Sequence, residues 1–297
     1  MVTLADVPER MLPRYGKYFE PLPDLNAYLL RIGLGGEEIP LTRAGLDQVL
    51  WAHLCNVPFE NIDLFDYDLN VDFGVEELFD KVVTRHRGGY CFELNAIFMA
   101  LLRAIGFEAF PIGVRIVSGG EEFTPAIAHR GTLVVIDGKR HYVDVGFGKT
   151  SAAAGSVCID EEGPQQLRDG IFHVEDRPYN HKIIMRHKEE GPAPEFLFVP
   201  DPFPAVDFIA YNYMMARTGF RNKRIAQLRT DDGSISVDGA IFRQNVKGER
   251  IETPIEGPED AMRILTETYG MVLTEPLKEI AEIPMTPPPA APAAPAR

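Results

Sequence analysis

The chain has 297 residues, 45% of them hydrophobic and 25% charged, the composition of a folded globular protein of roughly two or three domains. A net charge of −14 argues against a polyanionic nucleic acid or an anionic membrane as partner, and an anionic ligand would need a local cluster of Lys or Arg. Three cysteines make neither a disulfide framework nor a paired zinc-ligand spacing, and there is no signal pattern and no bilayer-spanning apolar run, so the expected setting is the cytoplasm, with no metal.

Residues 1–24 carry Pro8, Pro13, Pro21 and Pro23 without a clear period and read as an irregular extension, packed on the body through Tyr15, Tyr18 and Phe19. From Leu25 to Phe110 the pattern is helical. Leu46, Val49, Leu50, His53 and Leu54 share one apolar face behind Thr42, a suitable N-cap, and Pro58 ends that helix. Cys55 beside this face reads as core.

Residues 84–105 read as a loop, a glycine pair, a cysteine and then a helix, TRHRGGYCFELNAIFMALLRAI. Leu94, Ile97, Phe98, Leu101, Leu102 and Ile105 fall on one helical stripe, so that side is buried. Gly88 and Gly89 let the chain turn sharply into the helix. Cys91 then sits at the first turn, where free N–H groups and the positive end of the helix dipole favour a thiolate. A buried structural cysteine is the alternative; the glycine loop and the helix start favour a nucleophile.

After Gly113 the period changes to two. Residues 132–136, the pair Asp137-Gly138 and residues 141–145 form a hairpin signal, and strand-like pieces recur at 181–185 and 196–199. Cys158, in this β region, reads as packing. Residues 210–273 mix helix and strand, with a helix at 259–269 after Pro258, and the Pro/Ala-rich stretch 284–297 reads as a disordered tail. The fold class is α+β, with divisions at 1–105, 106–210 and 211–283 ahead of the tail.

A cysteine nucleophile needs a base and a group that holds the base in the right tautomer. If Asp137-Gly138 is a two-residue turn, Ile136 faces Lys139, and the register running back sets residue 131 opposite Asp144 and His129 opposite Gly146. His129 and residue 131 project to one side, so His129 is a diagonal neighbour of Asp144 at roughly 5–8 Å. His141 falls on the opposite face, His53 reads as a core histidine, and His86, His173, His181 and His187 have no carboxylate set by any pattern. The triad on this reading is Cys91, His129 and Asp144. A three-residue loop would shift the register and break it.

These residues resemble the arylamine N-acetyltransferase family, whose signature Arg-Gly-Gly-x-Cys-x-Glu-x-Asn is matched from Arg87 to Asn95. Residues 28–33 resemble its N-terminal helix, residues 57–62 (VPFENI) its Pro-Phe-Glu-Asn-Leu motif, and residues 144–148 (DVGFG) the block carrying the triad aspartate. The likeness runs from about residue 25 to 275. It implies a helical domain, a β-barrel-like domain and an α/β lid around a papain-like Cys-His-Asp core. It implies transfer of acetyl from acetyl-CoA, through a Cys91 thioester, to a small arylamine or arylhydrazine by a monomer or homo-oligomer. Glu60 and Arg87 become a candidate pair bracing the cysteine loop, or else two independent surface charges. Gly146, Phe147 and Lys149 become candidate donor contacts. Arg221, Lys223 and Arg224 become candidates for the CoA phosphates, or else a solvated basic patch. Ala128 and Lys149 depart from the family's usual Thr and Gly and flank the expected donor entrance. Two alternatives remain: an amide synthase of the same family acting on a polyketide-type chain, and a transglutaminase-like cysteine hydrolase.

Overall fold

The structure, a computed structural model, describes residues 8–117, 122–148, 153–217 and 219–280; Lys149 and the expected tail lie outside them. The extension forms helical turns at Glu9–Met11 and Gly16–Tyr18 around α1 (Leu12–Tyr15), with Pro13 in the first turn of α1, where its missing N–H costs nothing. The expectation of an irregular segment is thereby corrected: each turn is too short to write a helical period into the sequence. The extension docks through Tyr18, whose ring lies 4.9 Å from that of Phe73.

α2 (Leu25–Arg31) and α3 (Arg43–Asn56) follow, capped by Asp24 and Thr42, whose side chains accept from the N–H of Ala27 and Gly45. Then come β1 (Phe59–Glu60), α4 (Ile62–Phe65) and α5 (Val75–Phe79), which runs into a π-turn at Asp80–Thr84. α6 (Cys91–Ile105) ends at Gly106, whose φ of 119° is the left-handed closure a glycine provides. The apolar stripe anticipated one buried side, yet every residue of α6 from Cys91 to Leu102 is buried. The reason is that α2 and α5 pack on the helix as well as the strands β2 (Glu108–Ile116) and β3 (His129–Ile136). α6 is the axis of the molecule.

The middle region is a single antiparallel sheet of eight strands. To β2 and β3 it adds β4 (Lys139–Val143), β5 (Val157–Cys158), β6 (Gln165–Leu167), β7 (Gly170–Arg177), β8 (His181–Lys188) and β9 (Gly191–Phe198), in the order β5-β4-β3-β2-β9-β8-β7-β6. It curls until its edges nearly meet, and the side-chain amide of Gln165 on β6 spans the gap. That amide accepts from the Cys158 N–H at 2.8 Å and donates to the Cys158 carbonyl at 2.6 Å. The barrel is closed by a side chain where a strand pairing would otherwise be.

α7 (Phe208–Met215) packs back on the helical core through Phe208. β10 (Ile225–Thr230), β11 (Gly233–Asp238), β12 (Ile241–Val246) and β13 (Glu249–Pro254) form a second antiparallel sheet, whose inner edge pairs with β1 from far upstream. α8 (Gly257–Arg263) and the turn after it bury Ala261, Ile264 and Leu265 against this sheet. No helix among the described residues is long and apolar enough to cross a membrane.

Candidate active site

The hairpin register follows the expectation: Ile136 pairs with Lys139 and Thr132 with Val143. The turn residues Asp137 and Gly138 have φ of 51° and 77°, the pair of left-handed conformations that a two-residue turn of matching twist requires. His129 Nε2 consequently meets Asp144 Oδ2 at 2.5 Å, with both side chains buried. Nδ1 is the ring nitrogen left to serve as base. His141 pairs with Val134 and Cys158 on the other face of the strand, and its pKa is lowered by burial.

Asp144 is fully engaged. Oδ2 also accepts from the Tyr142 hydroxyl at 2.8 Å, while Oδ1 accepts from Asn95 Nδ2 at 2.9 Å and from the Gly146 N–H at 2.8 Å. Asn95 lies one helical turn beyond Cys91 and further donates to the Arg130 carbonyl and accepts from the Val145 N–H. One amide thus ties the cysteine helix to both strands of the hairpin. Tyr142 and Asn95 had no role assigned from sequence, yet spacing carried the signal. Tyr142 is two residues before Asp144 and so shares its strand face, and Asn95 is four after Cys91 on one helix face.

Cys91 is the first residue of α6 and only 4% exposed. Burial works to lower the His129 pKa, but the Asp144 charge and hydrogen bond, with a further contribution from Cys91, outweigh it and push the imidazole up to about 10. Burial raises Asp144 in turn, and the imidazole and its hydrogen-bond donors hold it below the ordinary carboxylate range. The edge of the Phe147 ring and the face of Phe196, at 5.8 Å and 5.9 Å from the imidazole, close it off from water. The arrangement is suited to removing a proton from a thiol and stabilising the resulting anion. The other cysteines lack such partners: Cys55 is half-buried and pushed up to about 11 by burial, and buried Cys158 is also raised.

The loop ahead of Cys91 is fixed by close backbone approach and buried charge. A Cβ on Gly88 would lie 1.7 Å from the Pro58 carbonyl oxygen, so only glycine fits. The anticipated pair forms, with Arg87 Nε 2.9 Å from Glu60 Oε1, and it belongs to a larger cluster. Arg87 also meets Asp63 at 2.8 Å, and Lys81 meets Asp63 and Glu93 at 2.7 Å each. Glu93 accepts from the Tyr90 N–H as well, holding the start of α6. Asp63 and Lys81 had no signal in the sequence, because their partners are remote along the chain.

The candidate donor contacts divide. Gly146 abuts the cysteine so closely that a Cβ would sit 2.8 Å from Cys91 Cα, and its N–H is taken by Asp144. Phe147 is half-buried beside His129, and Lys149 lies outside the described residues. Arg221 donates to the carbonyls of Ala216, Leu64 and Leu69 and pairs with Asp68, while Lys223 pairs with Asp238. A phosphate would have to compete for both. Arg224 is buried in a fork with Asp66, at 3.0 and 2.5 Å, so it belongs to no solvated patch. The same segment approaches the site through Phe220, whose ring lies 5.4 Å from that of Tyr90. Among the described residues no group of three or more His, Cys, Asp or Glu is placed to hold a metal ion.

Residues 44–278 match the family model for N-acetyltransferases. The arylamine N-acetyltransferase of Mycolicibacterium smegmatis is 30% identical over 258 residues, spanning 84% of this chain and 92% of its own. Arylamine N-acetyltransferase 1 of Homo sapiens is 36% identical over 279 residues, spanning 86% and 96%. Among solved structures, arylamine N-acetyltransferase from Salmonella typhimurium superposes with a TM-score of 0.78 at 23% identity, covering 86% of this chain and 94% of that one. The Mycobacterium marinum enzyme in complex with CoA gives 0.74 at 24% identity, covering 84% and 93%. These two show a shared fold.

Proposed function

The chain belongs to the arylamine N-acetyltransferase family, and from that premise we propose that it transfers an acetyl group from acetyl-CoA to an arylamine or arylhydrazine by a ping-pong cycle through Cys91. The observation that carries this reading is the cysteine at the start of a buried helix beside a histidine bonded to a buried aspartate at 2.5 Å. His129 takes the Cys91 proton at Nδ1, and the sulfur attacks the thioester carbonyl carbon of acetyl-CoA. The tetrahedral oxyanion is met by free N–H groups of the first turn of α6. The intermediate collapses to acetyl-Cys91, and the departing CoA thiolate takes the proton back from the imidazolium. The acceptor nitrogen then attacks acetyl-Cys91, His129 removes its proton, and the cysteine sulfur leaves. Asp144 keeps the imidazole in the tautomer this requires and balances its charge.

Donor binding is assigned to Gly146, Phe147 and Lys149 as contact residues, with Arg221 and Lys223 turning from Asp68 and Asp238 to the CoA phosphates. The M. marinum relative bound to CoA supports CoA as the carrier.

Intact-protein mass spectrometry after mixing with acetyl-CoA alone tests the cycle. The expected result is one added acetyl group, absent in Cys91→Ser and removed by an arylhydrazine. A wild-type chain that stays unacetylated while Cys91 remains reactive to an alkylating agent overturns the donor assignment.

A further inference from the structure

Arg130 follows His129 on β3 and therefore projects to the opposite face of the strand, away from the triad. It is 1% exposed, and its Nε and Nη1 have no hydrogen-bond partner. No described carboxylate pairs with it. The guanidinium is flanked by rings, 4.8 Å from the centre of Phe208 and 5.8 Å from that of Phe73. Burial first and repulsion from Arg103 second push the Arg130 pKa down to about 9, against a smaller opposing pull from Cys91. A desolvated cation with unpaired donors is costly unless an anion accompanies it.

Room for an anion is present. Arg130 lines a cavity of about 520 Å³ beside α6, walled by Phe73, Val75, Met99 and the extension from Tyr18 to Leu22. The extension lies outside residues 44–278, the span that matches the family model. Arg103 and the half-buried Glu20 are the other charged residues lining the cavity.

We propose that this cavity is a binding site, separate from the Cys91 triad, for a small organic carboxylate whose charged end pairs with Arg130 and whose apolar body lies among Phe73, Val75 and Met99. A planar guanidinium offers paired N–H donors that match a carboxylate. The apolar walls select an organic acid over a bare phosphate, whose remaining oxygens would go unpaired. The inference does not depend on acetyl transfer.

Isothermal titration of the full chain with sodium benzoate, with benzamide as the uncharged isostere and inorganic phosphate as the bare anion, decides it. Benzoate is expected to bind at one site, with benzamide and phosphate each at least ~10-fold weaker. Arg130→Met should weaken benzoate ~10- to 100-fold, while Cys91→Ser leaves it unchanged. If Arg130→Met does not fold, Ala104→Trp on the exposed rim of the cavity should reduce benzoate binding at least ~10-fold by filling the mouth. No benzoate binding, equal binding of benzamide, tighter binding of phosphate, or benzoate binding unaffected by either cavity variant would overturn the proposal. Arg130 would then be a closed structural cation held between two rings.

Discussion

Asp144 Oδ2 accepts from both His129 and Tyr142, and that shared oxygen is where single atoms bear most directly on the chemistry. Tyr142 is buried and its ring stacks on Phe198 at 5.3 Å, so Tyr142→Phe keeps the packing and removes only the hydroxyl. The carboxylate then loses one donor to a charged acceptor, and the rate of Cys91 acetylation is expected to fall about tenfold with the fold intact. Stopped acetylation followed by mass spectrometry reads the rate, and an unchanged rate would show the hydroxyl to be packing alone. The same pair sets a pH dependence of stability. His129 is raised from its ordinary 6.5 to about 10 in the folded chain. Its contribution is therefore complete below 6.5, fades as the unfolded chain releases a proton the native chain retains, and is gone above about 10. Asp144, held below its ordinary 3.8, contributes above that value and loses its contribution as the pH falls through the folded one. Urea unfolding of wild type and His129→Gln should give a stability gap that narrows steadily from about pH 6.5 to about pH 10; a constant gap would sink this assignment.

The β3–β4 hairpin is the element that makes a triad from residues far from Cys91 in sequence. Its alternation separates His129 from His141, so His141→Ala should leave acetylation of Cys91 within about twofold of wild type. A variant dead in that assay and still folded would mean that the strand faces are misassigned. This element was legible because every signal in it is local: a period of two, an Asp-Gly turn, and a register that counts outward from the turn. α6 was legible for the same reason, through its stripe, its glycines and its N-terminal cysteine. The failures were also physical. β1 is a two-residue strand that pairs with Gln227 and Ala226, a contact no local pattern announces. The turns of the extension are shorter than a helical period. Arg130 carried no signal in the sequence, because its missing partner is a property of three-dimensional surroundings. Arg221, Lys223 and Arg224 looked like one basic cluster in sequence, and the fold sends each to a different acid, Asp68, Asp238 and Asp66.

Across the whole molecule, the buried charges beneath the cysteine loop join parts that the hydrophobic cores keep apart. Glu60 stands on β1 in the second sheet, Asp63 on α4, Lys81 in the π-turn, Arg87 in the loop and Glu93 on α6. Three carboxylates surround two cations. Burial foremost, with crowding by Asp63 and Glu60 against the pull of Lys81, leaves Glu93 the weak acid, pushed up to about 7. Lys81 is held cationic above its ordinary range because the three acids outweigh its desolvation. Removing the lysine leaves a net negative knot that the single guanidinium of Arg87 cannot balance. Lys81→Met is therefore expected to destabilise the chain by about 3–5 kcal/mol, the cost of stranding a buried charge. The loss should be smaller near pH 5, where Glu93 takes up a proton and needs no cation, than near pH 8, where it must shed one to match the unfolded chain. Adding Glu93→Gln should recover part of the loss at pH 8 and little at pH 5, since the two residues touch and their effects do not add. Denaturant unfolding of the two variants at both pH values measures all four numbers. Equal losses at the two pH values, with no recovery in the double variant, would show that the cluster is a set of independent pairs and that the cysteine loop is held by packing and by the Gly88–Pro58 approach instead.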